Sequence, residues 1–275
     1  MTHNPIHSFV VLAAASLLLV AGTASGQSAP PPAQAAPPST AGCADEVRHN
    51  ATREQAEFVS EGRTIRSLIY KPGIPNGAAV VLLHGSQGGS VDAQRFDPHA
   101  VQLASRGYVV LVPFYFDSRP WRTRRNGLDM STWAETGANA VSYVATLPGV
   151  DPARVALWGY SYGGYLAVDD TVRPDSPAAL AIGVSAGTAI WAEPTRGRRA
   201  VPILMIHGRA DPAVPPSSMR TLAGNLRLRG ATVDVETIDS NQHEMNGPIW
   251  CEVFQLTRRF LDTHLLPAPA APAAG

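Results

Sequence analysis

Short apolar runs without polar alternation punctuate the middle of the chain. They are residues 79–83 (AVVLL), 109–112 (VVLV), 155–158 (VALW), 180–184 (LAIGV) and 203–206 (ILMI). Such runs suit strands buried on both faces of a parallel sheet. Residues 232–238 (TVDVETI) alternate instead and read as an edge strand. Ahead of the first run, residues 57–60, the turn pair Glu61 and Gly62, and residues 64–70 read as a β-hairpin. Helical stretches lie between the strands. Residues 98–106 end at Gly107, 131–147 end before Pro148 and Gly149, 217–229 end at Gly230, and 249–265 close the body. A hairpin followed by alternating strands and helices predicts an α/β fold, with a mostly parallel sheet covered on both faces. Right-handed crossovers then bring every strand-to-helix loop to one edge of the sheet, where chemistry is expected.

The termini read differently. Residues 10–26 (VVLAAASLLLVAGTASG) are apolar, then small, and too short for a comfortable membrane span. Residues 1–26 therefore read as a signal peptide, cleaved after Ala24 or Gly26, although the n-region holds only His3, His7 and the amino terminus as positive groups. The alternative is an uncleaved anchor. Either places the body outside the cytoplasm, secreted or periplasmic. Residues 27–42 are a Pro/Ala-rich linker and 267–275 a similar disordered tail, which leaves residues 43–266 as the folded domain. In an oxidising compartment the two cysteines, Cys43 and Cys251, suggest one disulfide.

Charge narrows the field. Lys and Arg total 22, Asp and Glu total 22, and the formal net charge is zero, so nothing points to nucleic acid, or to a membrane after signal cleavage. Lys71 is the one lysine, so individual arginines carry little weight as signals. This applies to the arginine-rich stretches at residues 119–125 and 196–199, which read as solvated surface before they read as anion sites.

The chemistry concentrates at strand ends. Residues 159–164 (GYSYGG) follow a strand and precede a helix start, as a G-x-S-x-G nucleophile elbow requires. Ser161 is the candidate nucleophile, and the Tyr162 N–H at the helix start is a candidate oxyanion donor. Residues 183–187 (GVSAG) match the same pattern, but their continuation meets Pro194 and makes a poor helix, so Ser185 is the weaker candidate. Residues 84–89 (HGSQGG) follow another strand. Their glycine-rich backbone can aim N–H groups at the site, with Ser86 the expected second oxyanion donor and Gln87 the next choice; Gln87 is also a candidate substrate contact. Asp211, after ILMI and stiffened by Pro212 and Pro215, is the expected acid; Asp234 and Asp239 compete. His243, between the last strand and the last helix, is the expected base. His84 and His207 sit in strand-end turns that favour structural roles. The chain order Ser161, Asp211, His243 is that of α/β-hydrolases. Trp121, Trp133 and Trp191 fall near the same edge, where they line an acyl pocket or pack the core. No His/Cys/carboxylate cluster has metal-ligand spacing, so neither metal nor cofactor is implied.

Four segments together carry a family resemblance: LLHGSQGG, LASRGYVVLVPFY, LPGVDPARVALWGYSYGGYLA and PILMIHGRADPAVPP. They resemble the dienelactone hydrolase family over most of the body. GYSYGGYLA is also similar to the catalytic domain of prolyl-oligopeptidase-type peptidases. The first resemblance implies an α/β-hydrolase fold and hydrolysis of a small-molecule ester. The chain departs from that family at the nucleophile, where Ser161 replaces cysteine. It departs again where the family has an acid after the first strand turn (here Ser86 and Gln87) and an Arg after the base (here Asn246 and Gly247). Those family residues serve the dienelactone carboxylate, so that particular substrate is not implied. From the peptidases it departs in having only about thirty folded residues before the HG turn, without their large propeller. Two rival readings are a small peptidase or amidase with the same triad, and a non-catalytic binding protein, for which an incomplete triad would be the mark.

Overall fold

The computed structural model describes residues 43–120, 127–188 and 199–267. Residues 1–42, expected to be signal and linker, and residues 268–275 of the expected tail, together with Trp121, Trp191 and the arginines at 122, 124, 125, 196 and 198, lie outside the described residues. Eight strands form one sheet in the order β1-β2-β4-β3-β5-β6-β7-β8. The hairpin strands are β1 (Ala51–Ser60) and β2 (Arg63–Pro72), paired antiparallel. Glu61 and Gly62 both hold positive φ, 51° and 70°, the twist a tight two-residue hairpin needs. β2 pairs antiparallel with β4 (Val109–Pro113). From there β3 (Gly77–Leu83), β5 (Val150–Tyr160), β6 (Leu180–Val184), β7 (Pro202–Gly208) and β8 (Thr232–Ile238) run parallel. The alternating β8 is indeed an edge.

The apolar runs are continuous because each strand feeds two cores. Along β3, Ala79, Val81 and Leu83 enter one core and Ala78, Val80 and Leu82 the other. The first core packs α2 (Gly127–Ala145), α3 (Tyr162–Thr171) and α4 (Pro216–Leu228) through Trp133, Leu166 and Leu222. The second packs α1 (Gly89–Ser105) and α5 (Gly247–Leu265) through Phe96, Trp250 and Phe254. Trp133 is fully buried, so it packs the core.

Several elements start earlier than the sequence reading has them: β1 at Ala51 and not at 57, β5 at Val150 and not at 155, α2 at Gly127 and not at 131; the largest difference is at α1. The helix expected from Pro98 begins at Gly89, and Pro98 lies inside it. A proline there forfeits a backbone bond and costs about 3 kcal/mol. Pro98 and Gln94, one turn back, are both exposed, while Phe96, Ala100 and Leu103 bury the other face. Burial of that face overrides the local preference for a break.

Cys43 and Cys251 form a disulfide across a separation of 208 residues. It fixes the segment before β1 to α5. Around it, Val47 exchanges two hydrogen bonds with the Gln102 amide of α1, and Asp45 pairs with Arg258 of α5.

Candidate active site

The loops after β3, β5, β7 and β8 meet at the carboxyl edge of the sheet. β5 leaves the sheet at Tyr160 and α3 starts at Tyr162, so Ser161 makes the whole turn. Its backbone sits at φ 53°, ψ −113°, a conformation side-chain-bearing residues rarely hold. Such strain costs on the order of 1–3 kcal/mol and persists only where the surroundings impose it. Here they do. The Ser161 N–H donates to the Val184 carbonyl at 2.7 Å, and the Tyr165 N–H returns to the Ser161 carbonyl at 3.1 Å. The flanking glycines are sterically required. A Cβ on Gly159 would fall 2.1 Å from the Gly163 oxygen. One on Gly163 would fall 2.5 Å from both the Leu83 and His84 carbonyl oxygens. This second contact presses the start of α3 against the end of β3, where the turn at residues 85–88 begins.

Ser161 Oγ lies 2.9 Å from His243 Nε2, and His243 Nδ1 lies 2.8 Å from Asp211 Oδ2. Asp211 Oδ1 accepts the N–H groups of Ala213 and Val214, each at 2.9 Å. The Asp211 side chain is fully shielded from solvent. Burial pushes its carboxyl up, but the His243 hydrogen bond and the Val214 and Ala213 N–H groups outweigh that and hold it below the usual carboxylate range. It is therefore ionised at neutral pH and holds the His243 Nδ1 proton. The competing acids are elsewhere: Asp234 is exposed on β8, and Asp239 is 95% exposed beside Arg209.

The other candidates separate cleanly. Ser185, in the second G-x-S-x-G, also has positive φ, 47°, but is fully buried and its Oγ has no hydrogen-bond partner. His84 is buried and stacked on Tyr115, with ring centroids 4.0 Å apart; burial lowers its pKa to about 4, so it is neutral. His207 bonds the Val214 carbonyl at 2.9 Å and so braces the loop that carries Asp211. Ser86 and Gln87 are the exposed central residues of a turn closed by Gly88 N–H to Gly85 carbonyl at 3.2 Å. The Gln87 amide is not loose; it bonds Glu244, next to His243. Of the two described arginines from the arginine-rich stretches, Arg119 pairs with Asp129, and Arg199 donates to the Ala178 and Ser176 carbonyls. The sequence reading missed Asp92, Arg95, Tyr160 and Glu244, which surround the site. The one signal available was an acid in the first turn of the helix after a glycine-rich turn, the position a helix dipole favours.

A mostly parallel eight-stranded sheet, an elbow serine between strand and helix, and an acid and a histidine from later loops define an α/β-hydrolase. Solved structures agree on the fold. Esterase 2 of Thermogutta terrifontis superposes with a TM-score of 0.64 at 22% identity, covering 79% of this chain and 96% of that one. The acylaminoacyl peptidase of Pyrococcus horikoshii gives 0.62 at 15% identity, over 81% of this chain and 43% of that one. Within that class, the chain belongs to the dienelactone hydrolase family, whose profile matches residues 65–247. A curated relative, the polyketide transferase ATR5 of Stachybotrys chlorohalonatus, is 30% identical over 147 residues, 53% of this chain and 48% of its own length. The chain thus spans about half the length of that relative.

Proposed function

We propose that the protein is a serine hydrolase that cleaves carboxylic esters through an acyl-enzyme on Ser161. The hydrogen-bonded chain from Ser161 through His243 to Asp211, at 2.9 and 2.8 Å, carries the reading. His243 takes the Ser161 proton as Oγ attacks the carbonyl, then delivers it to the leaving alkoxide. Asp211 stabilises the imidazolium and keeps the Nε2 lone pair facing Ser161. The N–H of Tyr162, at the start of α3, and that of Ser86, in the adjacent turn, receive the oxyanion; one such donor is worth about 3–4 kcal/mol in the transition state. Water, activated by His243, then clears the acyl group by the reverse route. Family membership supports an ester substrate, since a lactone is a cyclic ester. The disulfide supports export to an oxidising compartment.

The test compares p-nitrophenyl acetate and butyrate with peptide p-nitroanilides on purified protein. Ester turnover with anilides at background is expected. Anilide cleavage exceeding ester cleavage replaces the reading with an amidase, and inertness toward both removes it.

A further inference from the structure

Helix α1 carries a charged cluster between the turn at residues 85–88 and the loop of His243. The Asp92 side chain is fully shielded from solvent. Its Oδ2 accepts the Gly85 N–H at 2.6 Å and its Oδ1 accepts from Arg95 at 3.0 Å. Arg95 does not stop there. Its other terminal nitrogen reaches Gln87 Oε1 at 3.3 Å and Glu244 Oε2 at 3.1 Å. The Gln87 amide donates to the remaining Glu244 oxygen, Oε1. Against the same cluster, the Tyr160 hydroxyl donates to the His243 carbonyl at 2.7 Å, and Tyr160 directly precedes Ser161.

One guanidinium thus joins the buried acid beneath the turn, the turn itself, and the residue after the base. Its planar fork suits this task. Three acceptors in fixed directions need several donors held rigidly, which a lysine ammonium on a flexible stem does not supply. The Arg95 side chain is 23% exposed, so its ion pairs are partly shielded from water and salt. Glu244, at the outer end, is 57% exposed and is the member most easily altered without touching the core.

We propose that Arg95 is a positioning residue for hydrolysis: by bridging Asp92, Gln87 and Glu244 it sets the spacing between the oxyanion turn and the His243 loop. This rests on the serine-hydrolase reading above. Arg95 need not touch substrate; it acts through where Ser86 and His243 stand. Displacements near 1 Å at reacting groups cost about 10²-fold in rate, so a loosened bridge is felt in the chemical step and not in binding.

The experiment measures labelling of the full chain by a fluorophosphonate probe, which needs the serine, the base and the oxyanion donors but no particular acyl group. Maximal labelling rate, half-saturating probe concentration and melting temperature are read for wild type, Arg95→Met, Arg95→Lys, Glu244→Gln and the Arg95→Met/Glu244→Gln double variant. Arg95→Met is expected to slow maximal labelling by about 10- to 100-fold, with half-saturation unchanged. Arg95→Lys recovers part of the rate. Glu244→Gln slows labelling at an unchanged melting temperature, and the double variant is no slower than Arg95→Met alone, because both cut one bridge. Wild-type labelling rates in Arg95→Met and Glu244→Gln overturn the proposal. So does a loss in Arg95→Met that follows its melting temperature while Glu244→Gln labels normally, since Arg95 is then only the counter-ion of Asp92. If wild type itself does not label, the hydrolase reading fails, and this proposal with it.

Discussion

Asp211→Asn isolates what the acid contributes, because the surroundings dictate how the new amide must sit. In the native protein Oδ1 accepts two backbone N–H groups, from Ala213 and Val214, and Oδ2 accepts from His243. An asparagine that turned its NH₂ toward Ala213 and Val214 would set donors against two donors in a fully shielded position. Each such unmade bond costs about 1–3 kcal/mol. The amide oxygen therefore stays with the backbone, and the NH₂ faces His243 Nδ1. That nitrogen must then accept, which moves the ring proton to Nε2, the atom 2.9 Å from Ser161 Oγ. With its lone pair gone, Nε2 cannot take the serine proton. Triads locked in the wrong tautomer lose about 10⁴ in kcat, equivalent to roughly 5.5 kcal/mol of activation free energy. Turnover of p-nitrophenyl butyrate from pH 6 to 10 is the assay, with circular dichroism confirming the fold. A deficit below about tenfold refutes the tautomer argument, because the acid would then be dispensable.

Three further outcomes follow from other parts of the molecule. Gly163→Ala places a methyl 2.5 Å from two backbone carbonyls; it is expected to abolish ester turnover and lower the melting temperature, and a variant near wild type in both contradicts the elbow geometry. Replacing Cys43 and Cys251 by serine opens a loop spanning 208 residues, for which chain entropy gives at most about 5 kcal/mol of lost stability; denaturant titration should show a clear loss while kcat stays unchanged, and equal midpoints contradict it. Burial pushes the Asp170 carboxyl up to about 6, against the Ser176 hydrogen bond and Arg173. Its folded pKa then exceeds its unfolded one, so this group's contribution to stability falls as pH rises from about 4 to about 6. Asp170→Asn should therefore gain on wild type across that window, by about 3 kcal/mol at most. A pH-independent difference in urea unfolding counts against the burial argument.

Much of the architecture was legible because double-sided burial leaves a simple trace. Runs such as AVVLL and LAIGV have no polar face, and their strands feed two cores. The elbow was legible because its steric demand singles out Gly159 and Gly163, and the choice between Ser161 and Ser185 turned on whether a helix could follow. The start of α1 was not legible. Local preference breaks a helix at Pro98, and only the buried face of Phe96, Ala100 and Leu103 carries it through. The bridge through Asp92, Arg95, Gln87 and Glu244 was invisible for another reason. Arg95 and Glu244 are 149 residues apart and share no periodicity, so only the fold brings them to 3.1 Å.

The central claim is that Ser161 is the nucleophile, and Ser161→Ala measured beside Ser185→Ala tests it most directly. On p-nitrophenyl butyrate, Ser161→Ala should lose about 10⁴–10⁶ in turnover, as loss of a triad serine does. Ser185→Ala should keep near-wild-type activity, because it removes only a buried hydroxyl that has no partner. Activity retained in Ser161→Ala and lost in Ser185→Ala would contradict the account at its root.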